Sequence, residues 1–92
     1  RADLAVTRIE ADRLKYLHPA MEGDFDCEVQ VRAHGSVVPC RAHVDREADR
    51  MTLELNEPLS GVARGQAAVL YLPSPDELGD IVLGSGTICG TE

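Results

Sequence analysis

The middle of the chain alternates between apolar and polar side chains with a period of two. Over residues 27–33 the apolar positions are Cys27, Val29, Val31 and Ala33. Over residues 51–55 they are Met51, Leu53 and Leu55. This pattern is typical of a β-strand that buries one face and exposes the other. We therefore expect two strands here, each with its apolar positions turned inward.

The rest of the chain consists of short apolar runs separated by clusters of Gly, Pro, Asp and Glu, a pattern that favours an all-β fold. The six expected strands cover residues 4–10, 27–33, 38–44, 50–55, 66–72 and 80–89. Residues 11–17 fit either one helical turn or a continuation of the first strand. The run 66–72 is expected to be buried on both faces, and residues 73–79 to form an exposed loop.

A tight hairpin is expected between the second and third strands. Gly35-Ser36 supplies a two-residue turn, because Gly adopts the positive φ that such turns require. The turn fixes which residues are opposite each other. The inward pairs are Ala33 with Val38, Val31 with Cys40, Val29 with Ala42, and Cys27 with Val44.

Gly84 and Gly86 lie inside the last expected strand, where missing side chains let a sheet coil sharply or let another backbone approach. Six short antiparallel strands ending in such a strand favour a small closed barrel over an open sheet, because closure removes unpaired edges. No repeat or internal boundary is visible, so residues 1–92 are expected to form one domain. The start at Arg-Ala-Asp without Met is interpreted as a fragment of a longer protein.

The amino-acid composition limits the kinds of partner that the domain can bind. Nine Lys and Arg residues against sixteen Asp and Glu residues give a net charge of −7. A basic field covering the whole domain, as needed for RNA or an anionic membrane surface, is absent. The longest apolar stretch, residues 67–72, is far shorter than the roughly 20 residues of a membrane helix. Any RNA contact is expected to be local, and no membrane partner is expected.

The charge is unevenly distributed, since residues 30–64 contain five basic and five acidic side chains and are neutral overall. The outward face of the expected hairpin has a polar strip. Its residues are Gln30, Arg32, His34, Arg41 and His43. This strip fits either contacts with phosphate or an ordinary solvated face.

Nucleotide and metal sites are not expected in this chain. Neither Gly-x-Gly-x-x-Gly nor Gly-x-x-x-x-Gly-Lys-Ser/Thr occurs. Cys27 and Cys40 are expected to point inward, whereas His34 and His43 are expected to point outward, so they cannot share one tetrahedral metal site. With Cys89 the cysteines are few and odd in number, which is typical of reduced thiols acting as small buried side chains.

Four segments follow one another in a distinctive order. They are Cys-Glu-Val-Gln-Val-Arg at 27–32, Val-Pro-Cys at 38–40, Glu-Pro followed by Gly-Gln and an apolar run within 57–71, and Leu-Gly-Ser-Gly-Thr-Ile at 83–88. Together they resemble the C-terminal domain of the bacterial tRNA-specific 2-thiouridylases. The chain departs from the family at Arg32-Ala33-His34-Gly35, where Arg-Tyr-Arg-Gln is usual, and so lacks one aromatic side chain and one permanent charge.

The resemblance implies a six-stranded antiparallel β-barrel similar to the second domain of translation elongation GTPases, joined in cis to an adenylating catalytic domain and a central linker domain. It implies a cytoplasmic parent enzyme, a tRNA-uridine 2-sulfurtransferase. That parent uses ATP with Mg to activate the wobble uridine of tRNA, and a cysteine persulfide then delivers the sulfur, with a sulfur-relay protein as a partner. The family's catalytic positions are not matched here, so the chain alone is expected to be inactive and to hold no cofactor.

Within this resemblance, the expected role of the chain is to help position tRNA and to close the catalytic pocket. The RNA-binding candidates are Arg32, His34 and Arg41, and Gly65-Gln66 is expected to shape a loop facing the catalytic domain. One alternative is a translation-factor-like barrel that binds protein or RNA outside a modification enzyme. Another is a free-standing metal or redox domain, which would contain zinc or a disulfide.

Overall fold

A computed structural model describes residues 5–31, 35, 37–73 and 81–92. Six antiparallel strands close into a barrel in the order β1-β4-β3-β2-β5-β6, which confirms the expected all-β barrel. The strands are β1 (Val6–Tyr16), β2 (Gly23–Gln30), β3 (Val38–Asp45), β4 (Arg50–Leu59), β5 (Ala67–Leu72) and β6 (Ile81–Thr91). The described residues include no helix that could cross a membrane.

Several strand boundaries differ from expectation. Residues 11–16 continue β1 and do not form a helical turn, and β4 runs on to Leu59. β2 begins and ends earlier than expected, at Gly23 and Gln30. Of the loop expected over 73–79, all residues except Pro73 lie outside the described part of the chain.

The interior is filled by side chains from all six strands and by Met21, which lies between β1 and β2. The largest fully buried side chains are Ile9, Met21, Met51, Leu53, Leu70, Leu83, Ile88 and Val29. The expectation that residues 66–72 are buried on both faces was wrong, because only Ala68 and Leu70 in this run are buried. In a closed barrel each strand has one face toward the interior and one toward solvent, so an apolar run is half exposed.

The expected register of β2 and β3 was also wrong. Cys27 is opposite Cys40, and Val29 is opposite Val38, so Gly35-Ser36 cannot be a two-residue turn between the strands. The displacement is an even number of residues, so the described side chains of the two strands keep their expected faces. The observed register places Asp26 opposite Arg41, an opposite-charge pair that stabilises it.

The pairing of β1 with β6, called here the seam, closes the barrel with an irregular register. Shifts occur between Glu10 and Ala11 and between Asp12 and Lys15. A Cβ on Gly84 would overlap the backbone oxygen of Lys15 and the sulfur of Met21. Of the two roles considered for this glycine, sharp coiling or approach of another backbone, the structure shows the close approach of another backbone.

Candidate nucleic-acid interface

Arg41, one of the three RNA-binding candidates, is exposed on the outer face of β3. Its Nη1 donates to Oδ1 of Asp26 at 3.0 Å, and Glu54 lies opposite it on β4. Because Asp26 neutralises the guanidinium, its attraction for phosphate is reduced. The other two candidates, Arg32 and His34, lie outside the described residues.

His43, two residues further along β3, lies between two carboxylates. Its Nδ1 is 3.0 Å from Oδ1 of Asp24, and its Nε2 is 3.3 Å from Oε2 of Glu54. The Nε2 atom is buried and has no partner in hydrogen-bonding geometry. We call this outer face the charge ladder. Its residues are Asp24, Asp26, Arg41, His43 and Glu54.

The charge ladder is therefore an internally paired surface. Next to it is a cleft of about 350 Å³. The cleft is lined by Asp24, His43, Val44, Asp45, Arg50, Met51 and Thr52. Two carboxylates among these residues oppose the binding of a phosphate group. Among the described residues, no group of three or more His, Cys, Asp or Glu side chains could hold a metal ion.

Gly65 and Gln66 form a tight loop before β5. Gly65 has a φ of 93° and its N–H donates to the Ile88 oxygen at 2.8 Å, while the Ile88 N–H donates to the Gln66 oxygen at 2.8 Å. The Oε1 of Gln66 accepts from the Ala63 N–H at 2.8 Å. Gln66 thus connects its own loop to β6, and the expected role of this loop toward the catalytic domain stays a prediction.

Arg64, which precedes this loop, was not among the sequence candidates. It is exposed, and no other described residue forms an ion pair with it. β2 ends and β3 begins at the same end of the barrel as this loop, because Gln30 pairs with Val69 near the start of β5. The signal that could have identified Arg64 is its place directly before Gly65 in a segment without acidic neighbours.

A polar cluster that the sequence did not predict covers the opposite end, and we call it the clasp. It joins Tyr16 of β1 to Arg46 and Asp49 in the turn between β3 and β4. Arg46 donates to the backbone oxygens of Met21 at 2.9 Å and His18 at 3.3 Å. Its guanidinium lies 4.5 Å from the centre of the Tyr16 ring.

Asp49 completes the clasp. Its Oδ1 accepts from the Tyr16 hydroxyl at 2.9 Å and from the Leu14 N–H at 3.2 Å. The Leu14 N–H lies at the irregular part of β1, next to Arg13 with its positive φ of 52°. Burial and the hydrogen bond to Asp49 raise the pKa of Tyr16. Because its guanidinium is occupied by these contacts with Met21, His18 and Tyr16, Arg46 is a poor candidate for RNA contact.

The cysteines expected to point inward do so. Cys27 and Cys40 are buried with their sulfur atoms 3.6 Å apart, whereas Cys89 is half-buried. Each of the three is a free cysteine.

This small closed barrel of six antiparallel strands is a known class of domain. Residues 6–88 match the model of the aminomethyltransferase beta-barrel domain, and the chain belongs to that family. The chain is also similar, over its whole length, to curated proteins described as tRNA-specific 2-thiouridylase MnmA.

The relative from Corynebacterium aurimucosum is 98% identical over 92 residues, which are 100% of this chain and 26% of that protein. The relative from Corynebacterium efficiens is 74% identical over 100% of this chain and 25% of that protein. The relative from Corynebacterium diphtheriae is 67% identical with the same coverage, 100% and 25%. The chain therefore spans about a quarter of the length of these relatives.

Proposed function

We propose that this barrel is the C-terminal accessory domain of a tRNA 2-thiouridylase and helps to position tRNA for thiolation of the wobble uridine. The observation that carries the proposal is the 98% identity to one quarter of a protein described as a tRNA-specific 2-thiouridylase. In this proposal the parent enzyme is a cytoplasmic sulfurtransferase. Its partners are tRNA, its own catalytic domain in cis and a sulfur-relay protein.

ATP with Mg belongs, in this proposal, to the catalytic domain of the parent. The described residues of the barrel do not fit a nucleotide. The Gly65 N–H, which a phosphate could otherwise use, donates to Ile88. The space beside Gly84 is filled by Lys15 and Met21. In this proposal the barrel acts by binding and orientation.

The surface that we assign to tRNA is the part of this barrel end on which Arg64 lies, and the adjacent loop of Gly65 and Gln66 is assigned to the contact with the catalytic domain. Arg64 is exposed there and unpaired among the described residues, so its charge is available to a phosphate. Arg41, in contrast, is paired with Asp26 at 3.0 Å. We therefore propose that Arg64 contributes more to tRNA binding than Arg41 does. The sequence pattern adds Arg32 as a second candidate for a phosphate contact.

The experiment is fluorescence-anisotropy titration of the chain with an unmodified tRNA that has a wobble uridine, repeated over a series of salt concentrations. Log affinity falls linearly with log salt, by roughly one unit of slope per phosphate contact. Arg64→Gln and Arg32→Gln are each expected to lower that slope by about one. Arg41→Gln is the matched control and is expected to leave the slope unchanged.

Loss of slope in Arg41→Gln alone would contradict this assignment and place the RNA surface on the charge ladder. Absence of salt-sensitive binding by the unsubstituted chain would refute the proposal that the barrel contacts tRNA directly. The activity itself is tested on the full-length protein that contains this chain, by ATP-dependent incorporation of sulfur into tRNA. There Arg64→Gln is expected to raise KM for tRNA severalfold with kcat unchanged, and absence of sulfur incorporation by the unsubstituted protein would refute the function.

A further inference from the structure

The two buried cysteines are a feature that the proposed function does not use. Cys27 on β2 and Cys40 on β3 are directly opposite each other in the register. Their side chains are 5% and 2% exposed, and their sulfur atoms are 3.6 Å apart inside the barrel. Two thiols in mutual contact within an apolar interior are available for chemistry with each other.

The strand geometry favours a covalent bond between them. Directly opposite residues of antiparallel strands have Cα atoms about 4.5 to 5.5 Å apart. Disulfides span Cα separations of about 4.4 to 6.8 Å. The backbone of β2 and β3 therefore already provides the spacing, and rotation of the two side chains is sufficient to bring the sulfur atoms together.

We propose that Cys27 and Cys40 form an oxidisable dithiol, at which a small hydroperoxide produces a disulfide that joins β2 to β3 inside the barrel. This modification site is independent of the proposed role in tRNA thiolation. It is confined to this pair because, among the described residues, no sulfur contact joins Cys89 to either cysteine.

The chemistry balances with hydrogen peroxide as the oxidant. The Cys40 thiolate attacks one peroxide oxygen, the O–O bond breaks, and a sulfenic acid and hydroxide are formed. The sulfur of Cys27 then attacks the sulfur of Cys40, the S–O bond breaks, and the second oxygen leaves as water. In total, two thiols and one hydrogen peroxide give one disulfide and two waters.

The contact between the two sulfur atoms, 3.6 Å apart, favours this order. It raises the pKa of Cys27, together with burial, and it lowers the pKa of Cys40. Cys40 is therefore the first to form a thiolate, and the thiolate is the nucleophile. Cys27, which keeps its proton longer, is the resolving thiol.

Peroxide can reach the pair through a short local opening. Between the cysteines and the end of the β2–β3 ladder there are two further pairs, Glu28 with Pro39 and Val29 with Val38. Pro39 has no N–H and so cannot donate to the ladder. Val29 is fully buried and also pairs with Leu70 of β5, so this opening is a local unfolding that separates the end of β2 from both neighbouring strands and exposes the sulfur atoms.

The test is treatment of the folded chain with hydrogen peroxide, followed by alkylation of the remaining thiols under denaturing conditions and mass spectrometry. We expect oxidation to lower the intact mass by two hydrogen atoms. We also expect Cys89 to be alkylated, whereas Cys27 and Cys40 are protected from alkylation to the same extent. Trypsin cleaves after Arg32 and Arg41, so Cys27 and Cys40 fall in separate peptides. These are expected to appear as one cross-linked species that dithiothreitol separates.

Cys89→Ser is the matched control and is expected to give the same cross-link. Cys27→Ser is expected to stop at a sulfenic acid on Cys40, which a dimedone probe detects. Treatment of the chain unfolded in guanidinium is expected to lose this selectivity and to include Cys89 in cross-links, a comparison that needs no variant to fold. A cross-link through Cys89 in the folded chain, or oxidation of Cys89 while the pair stays alkylatable, would overturn the proposal.

Discussion

The seam and the charge ladder are two regions of one barrel that are held together by different means. In the seam, β6 approaches β1 so closely that Gly84 leaves no room for a side chain beside Lys15. In the charge ladder, the strands keep a regular register and exposed ion pairs such as Arg41 with Asp26 connect them. Closure of the barrel requires that residue 84 has no side chain. The ion pairs of the charge ladder, in contrast, can be replaced by contacts with water and salt ions.

This difference shows where the fold tolerates change. A steric requirement in a packed interior cannot be relieved without moving backbone, and interiors are packed as densely as organic crystals. A solvent-exposed ion pair contributes little to the free energy of unfolding, because water and salt screen it. Substitutions in the seam should therefore be severe, and substitutions in the charge ladder mild.

The sharpest test of the comparison is Gly84→Ala. The added Cβ would overlap the Lys15 oxygen, which is backbone, and the barrel must open locally to admit it. We expect a loss of about 3 kcal/mol or more in the free energy of unfolding, measured by urea denaturation.

Gly90→Ala, further along β6, is the matched control. A Cβ at Gly90 would meet its nearest atom, Oε1 of Glu10, at 3.6 Å, which is an ordinary contact. We expect a change within about 0.5 kcal/mol. Equal losses in the two variants would mean that the seam is not selectively intolerant.

The second test is Arg46→Met, which removes the cation of the clasp. The backbone oxygens of Met21 and His18 lose their donor, and hydrogen bonds from charged groups contribute about 1.5 to 3 kcal/mol. We expect a loss of about 2 kcal/mol in thermal or urea unfolding.

Arg50→Met is the control for Arg46→Met, because Arg50 is exposed and its one ion pair among the described residues is with Glu10, at 3.9 Å. A loss of about 0.5 kcal/mol or less is expected for it. If Arg46→Met were as mild as this control, the clasp would not contribute measurably to the stability of the barrel.

The sequence could predict features that follow from local alternation, but not those that depend on contacts between strands. The inward direction of Cys27 and Cys40 follows from alternation with period two, and the structure confirms it. Their pairing with each other could not be predicted, because a register displaced by an even number of residues satisfies the alternation equally well. The observed register brings Asp26 opposite Arg41, a contact that alternation does not encode.

The candidate site was predictable to a smaller extent. The loop of Gly65 and Gln66 follows from local sequence, since Gly adopts the positive φ and Gln66 binds a neighbour three residues away. The neutralisation of Arg41 by Asp26 depends on contacts across strands, as does the clasp. Arg46 reaches the His18 oxygen across 28 positions of sequence, and no local pattern indicates such a contact.

The third test concerns pH and the clasp. The pKa of Tyr16 is raised above its ordinary value of 10.0, first by burial and then by its hydrogen bond to Asp49. The folded state therefore favours the protonated phenol, and this contribution to stability is complete below about pH 10 and is lost as the pH rises through the folded pKa. Tyr16→Phe should remove this pH dependence and cost about 1 kcal/mol at neutral pH.

The measurement for Tyr16 is a spectrophotometric titration of the phenol in a chain with Tyr71→Phe, since the chain has two tyrosines. Asp49→Asn should bring the midpoint back toward 10, because it removes the carboxylate charge. An unchanged midpoint in Asp49→Asn would show that the clasp does not act on Tyr16.

The smallest expected effect is in the charge ladder, at Arg41 and Asp26. We expect a coupling energy of about 0.2 to 1 kcal/mol from a double-mutant cycle of Arg41→Gln and Asp26→Asn, because both side chains are exposed. The coupling should decrease as salt is raised from low concentration to 1 M, where the Debye length is about 3 Å. A coupling of several kcal/mol that salt leaves unchanged would mean that the ladder, like the seam, is held by interactions that solvent cannot replace, and the distinction between the two regions would fail.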